Sequence, residues 1–135
     1  MRLAAALVAA ILMQGQDPAF RLIDRGGQSG IEDARRVVVT TPGQFAALWR
    51  EHTQKPVPPV DFAKESVVGI FLGTRATAGY GVEIVSIERS ASGTLVRCHE
   101  TAPPPGAMTA QVLTFPYLSA AIPALVPPVR VECAR

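Results

Sequence analysis

Val67-Val-Gly-Ile-Phe-Leu72 contains no polar side chain. A strand with one wet face alternates polar and apolar residues, so a run without alternation reads as a central strand buried on both faces. The neighbouring segments supply partners for it. Phe20–Asp24 alternates as an edge strand does, Arg36–Thr40 is a β-branched run, and Gly81–Arg89 and Thr94–Thr101 flank a Ser90-Ala-Ser-Gly93 hairpin turn. Thr109–Ile122 reads as a strand interrupted at Pro116, and Val129–Cys133 as the last strand.

A single segment of the mature chain has a helical period. Phe45, Leu48, Trp49 and His52 recur at i, i+3, i+4 and i+7. Thr41 can cap this helix, Pro42 suits its first position, and Gln44 completes a capping box. Phe45 and Trp49 are the expected anchors against the sheet. The short connections favour antiparallel pairing, and the predicted class is α+β: a mostly antiparallel sheet or sandwich of six or seven strands with one packed helix.

Leu3–Met13 is a run of 11 apolar positions preceded only by Met1 and Arg2. A bilayer-spanning helix needs about 20 such residues. One basic residue followed by a run of this length has the form of a secretory signal peptide. The expected division is a leader over residues 1–19, cut between Met13 and Ala19, and a single domain over 20–135, periplasmic or secreted. No cysteine lies near the cut, so no stable membrane anchor is expected after cleavage. Loss of Arg2 leaves 12 basic side chains against at most 11 acidic ones, and the longest basic run is Arg35–Arg36. A near-neutral chain without a basic track is a poor nucleic-acid binder.

Cys98 and Cys133 lie in strand-like runs on apolar faces. They form either one disulfide, as export permits, or two free buried thiols acting as small hydrophobes. The bridge requires the two strands to be neighbours and would be worth about 3–4 kcal/mol in the chain-entropy description.

The search for chemistry is mostly negative. His52 lies on the apolar stripe near the helix C-terminus, where packing or complementing the helix dipole is the expected role. His99 faces away from Cys98 on a solvated strand face. His99-Glu100 continues Thr-Ala-Pro and lacks the second histidine of a zinc-protease helix. No serine, Ser29 among them, stands in a Gly-x-Ser-x-Gly setting. Gly73–Gly81 lacks the Lys-Ser/Thr ending of a phosphate loop. No catalytic set, metal site or cofactor is expected. The oligomeric state is open.

Two loops draw attention instead. Gly73-Thr-Arg-Ala-Thr-Ala-Gly-Tyr-Gly81 joins two good strands, and Gly79 and Gly81 bracket Tyr80. Pro103-Pro-Pro-Gly106 makes the second. The first is either a plain hairpin loop or a surface that meets another protein.

The order of segments resembles the PrcB C-terminal domain family, a protease-complex subunit family. It runs through a helix with Phe45, Leu48 and Trp49, a Pro-Pro-Val-Asp-Phe approach, and a strand ending Phe71-Leu72-Gly73. Thr74 through Ile84, the Pro105-Gly106 loop and Phe115-Pro116-Tyr117 follow. The resemblance covers about residues 31–123. Ala78-Gly79-Tyr80 stands where the family favours Gly-Gly-Tyr. It implies an exported, non-enzymatic protein-binding domain, an accessory or stabilising subunit of a secreted protease. Arg75, Thr77, Gly79, Tyr80, Pro104, Pro105 and Gly106 are the expected partner-binding residues. Ala76–Tyr80 is also similar to the Thr-Gly-Tyr loop of chagasin-type cysteine-protease inhibitors, which implies the alternative of a loop-based inhibitor. A small exported scaffold domain is the third reading.

Overall fold

A computed structural model describes residues 20–135; the expected leader lies outside the described residues. Seven strands and one helix follow in the order β1 (Arg21–Gly26), β2 (Ala34–Val39), α1 (Pro42–His52), β3 (Glu65–Leu72), β4 (Gly81–Ser90), β5 (Gly93–Thr101), β6 (Tyr117–Pro123) and β7 (Val129–Ala134). They form a four-stranded sheet, β1-β6-β3-β2, and a three-stranded sheet, β4-β5-β7. The α+β class with one packed helix is what the patterning predicts.

The polar-free run makes up the last six residues of β3, which is antiparallel to β2 and β6 on its two sides. Its alternate residues serve two cores. Val68, Ile70 and Leu72 face the gap between the sheets, where they meet Val82, Val96, Cys98, Leu118, Ala120 and Ile122. Val67 and Phe71 face the other way, onto Phe45, Leu48 and Trp49 of α1. The molecule thus has three layers: helix, large sheet, small sheet. Gly69 sits on the helix side, where a Cβ would lie 2.9 Å from the Phe71 ring and 3.5 Å from Leu48. A larger residue there would push the helix off the sheet.

Phe45, Leu48, Trp49 and His52 are the buried residues of α1, the stripe expected from their spacing. The Phe45 and Trp49 rings lie 5.6 Å apart, and the Trp49 indole N–H donates to the Lys55 carbonyl at 3.0 Å. Thr41 caps the helix by accepting from the Gln44 N–H at 3.2 Å. The returning bond goes one residue further back than in a capping box: Gln44 Oε1 accepts from the Thr40 N–H at 3.0 Å.

Two features depart from the sequence pattern. The stretch 109–116 is not strand, because Thr114 pairs across to Arg75 instead of extending β6. β7 pairs with β5 in parallel, because the chain crosses to β6 in the other sheet before returning. This parallel pairing sets Cys98 directly opposite Cys133, with Cα atoms 4.3 Å apart, and the two are joined as a disulfide. The bridge ties the final strand to the hairpin across a separation of 35 residues.

Candidate functional site

The two loops singled out from sequence form one surface. The Arg75 N–H donates to the Thr114 carbonyl at 2.8 Å, the Thr114 N–H returns to the Arg75 carbonyl at 2.9 Å, and the Ala78 N–H reaches the Ala110 carbonyl at 3.0 Å. The Thr114 hydroxyl adds a bond to the Thr77 carbonyl at 2.9 Å. Gly79 has φ +102°, and a Cβ there would lie 2.8 Å from the Pro103 ring. Glycine is therefore required both for the turn and for the contact that brings the proline loop alongside. A third segment joins them, since Ser29 N–H donates to Phe115 O at 3.0 Å and Phe115 N–H to Gly27 O at 2.8 Å. Pro104, Pro105 and Gly106 are exposed at the rim, as are Val112, Leu113 and the fully exposed Met108.

Arg75 is half-buried and committed to several contacts. Its guanidinium donates to the Leu72 carbonyl at 2.7 Å and to Glu100 at 3.4 Å, and lies 5.7 Å from the centre of the Tyr80 ring. Arg75 therefore shapes the loop as well as lining its surface. Behind Tyr80 opens a cleft of about 590 Å³ that also includes His99, Glu100 and Arg135. Thr77 is half-buried, its hydroxyl donating to the Ala78 carbonyl at 2.9 Å.

With this geometry in view, the comparison with known proteins is specific. Residues 66–123 match the family model described as PrcB C-terminal. This is the family that the order of segments resembles. No curated protein and no solved structure matches the chain. The PrcB C-terminal match starts in β3 and ends with β6, so it contains both joined loops and the β4–β5 hairpin. It is narrower than the resemblance over 31–123, and α1 lies outside it.

Away from the joined loops, a second polar group lies under the helix. His52 Nδ1 is 2.8 Å from Ser29 Oγ, and His52 Nε2 is 3.3 Å from Asp24 Oδ2. The residue types are those of a nucleophilic triad. The arrangement is not, because there the serine faces Nε2 and the aspartate Nδ1. Ser29 and His52 retain only 5% and 4% of their surface, and Ser29 Oγ already accepts from the Ile31 N–H at 3.0 Å. What the group does is tie the β1–β2 turn to the end of α1, with the His52 ring 4.2 Å from that of Tyr117. Burial first, and the neighbouring Asp24 carboxylate second, raise the Tyr117 phenol to about 12.

Patterning places His52 on the packed face but does not reveal its partners, because Asp24 comes from β1 and Ser29 from the turn that follows it. The surroundings of Glu100 are hidden from patterning for a similar reason. Its significance comes from Arg36, Arg75 and Arg135, which reach it from three separate segments. Among the described residues, no group of three or more His, Cys, Asp or Glu side chains could hold a metal ion.

Proposed function

We propose that this chain is an exported, non-enzymatic protein-binding domain, an accessory or stabilising subunit of a secreted protease, docking through the joined loops. The observation that carries this reading is the coincidence of the family match with the surface. The segment 66–123 contains both loops, and their shared rim exposes Met108, Val112 and Leu113. Exposed apolar side chains clustered on a braced loop pair are stabilised by a covering partner. The leader-like residues 1–19 support export, and the PrcB C-terminal match supports association with a protease complex.

The test is capture of the full-length chain from the exported fraction of its host, with mass-spectrometric identification of the bound protease and of the mature N-terminus. Met108→Asp and Leu113→Asp should reduce the recovered protease about tenfold or more. Undiminished recovery with both variants would remove the loop assignment, and retention of Met1 on the recovered chain would remove the export reading.

A second reading, the chagasin-like inhibitor, draws support from one observation. Three segments, around Gly27–Ile31, Gly73–Gly81 and 102–116, run side by side at one end of the molecule. Micromolar chain against a panel of papain-like proteases should then show inhibition, and a flat response disposes of it.

A further inference from the structure

We infer that the cleft behind Tyr80 receives an acidic side chain, Asp or Glu, presented by a protein partner. This rests on the protein-binding reading above and names what the partner brings. Three guanidinium groups converge on Glu100, those of Arg75 and Arg135 from this cleft and that of Arg36 from the adjoining cavity. Glu100 lies 3.4 Å from Arg75, 3.9 Å from Arg36 and 3.9 Å from Arg135. Only Arg75 is within hydrogen-bonding distance. Each guanidinium carries five N–H donors in a planar fork, so one carboxylate leaves most of the donors without an anionic partner.

Several arginines elsewhere have a carboxylate each or more. Arg35, the residue before Arg36, points to the other side of β2 and is held by both Asp33 and Glu51 at 2.9 and 3.2 Å. Arg21, Arg97 and Arg130 pair with Glu65, Glu88 and Glu132 at 3.0, 2.7 and 3.1 Å. Three arginines, by contrast, share Glu100.

The shape fits a side chain. The cavity of about 590 Å³ is open to solvent and walled on one side by the Tyr80 ring beside Arg75. Arg75 and Arg135 line the opening, and of the three arginines only Arg75 is hydrogen-bonded to Glu100. A second carboxylate can therefore bind by the charge-assisted fork geometry arginine favours. A chain terminus is a poorer occupant, because terminal carboxylates are captured by backbone N–H nests and the donors here are guanidinia. A nucleic-acid backbone is disfavoured by the carboxylate at the centre of the cluster and by the lack of a basic track.

The experiment titrates the full-length chain with an acetylated, amidated peptide bearing one central Glu, beside its Gln twin, followed by NMR of backbone amides. The Glu peptide should shift Arg75, Tyr80 and Thr101, and the Gln twin should not. Glu100→Gln removes the internal competitor and should tighten the Glu peptide by about threefold to tenfold. Arg36→Gln should weaken it by a similar factor. Equal binding of the two peptides, or Glu100→Gln binding no more tightly than the parent, would overturn the inference. So would tighter binding of a neutral peptide with a free C-terminus than of the Glu peptide. Should Glu100→Gln lose its amide dispersion, Arg36→Gln and Arg135→Gln decide alone: weaker binding in both supports the inference, and unchanged binding overturns it. Protease capture that survives Arg36→Gln but is lost with Met108→Asp would keep the docking reading and remove this one.

Discussion

The group around His52 and the group around Glu100 use similar chemistry in opposite surroundings. Under α1, Asp24, His52 and Ser29 form a short chain of hydrogen bonds, with Tyr117 packed beside it and almost no surface left on Ser29 or His52. At the cleft, Arg36, Arg75 and Arg135 outnumber their carboxylate, and Arg135 keeps 88% of its side chain in solvent. A buried polar group is costly unless its partners are present, so the first arrangement serves the fold. Exposed charges are weakly coupled to stability, so the second can carry an imbalance of charge with little penalty. Catalytic-looking residue types are thus in the wrong place for catalysis, and the better binding chemistry lies where no catalytic motif occurs.

The largest expected effect comes from breaking the buried group. His52→Ala removes a ring packed against Trp49, Phe71 and Tyr117 and leaves Ser29 Oγ without its ring partner. The expected loss is about 3 kcal/mol in urea denaturation, the scale of a buried aromatic truncation. A loss below about 1 kcal/mol would mean that the network is not structural and would reopen a chemical role for His52.

A smaller effect should appear in alkali. The Tyr117 phenol is raised from 10.0 to about 12 in the folded chain. The folded state therefore holds a proton that the unfolded state releases. Its contribution is complete below pH 10.0, and is lost as pH rises through about 12. Urea midpoints of the parent chain should fall across that window, and those of Tyr117→Phe should fall less. Parallel curves would show that the phenol is not under the constraint described and would weaken the contrast between the two sites.

These experiments probe the part of the molecule that sequence patterning reached least. The elements were legible because each has a local cause: the polar-free run Val67–Leu72 of β3, the i, i+3, i+4, i+7 spacing of α1, the turn between β4 and β5. The joined loops were visible as Pro and Gly clusters, although their backbone pairing was not, since Arg75 and Thr114 are far apart in the chain. The parallel approach of β7 was hidden too, because antiparallel pairing follows from short connections and this strand returns by a long one. The partners of His52 and the convergence on Glu100 are products of topology. No window of sequence contains Asp24, Ser29 and His52 together, or Arg36, Glu100 and Arg135.

The smallest expected effect is the one that separates the sites most sharply. Arg36 lies on an edge strand with 44% of its side chain exposed, 3.9 Å from Glu100 and donating to the Val131 carbonyl at 3.3 Å. An exposed pair at that distance contributes little, because solvent screens it and ordering a long side chain offsets the attraction. Arg36→Gln should therefore change stability by under about 1 kcal/mol in the same denaturation series, while weakening the Glu peptide. A destabilisation matching that of His52→Ala would make the bond from Arg36 to β7 a strut between the two sheets. The cleft would then be structural in the same sense as the buried group, and the division between a polar cluster that holds the fold and one that is free to bind would fail.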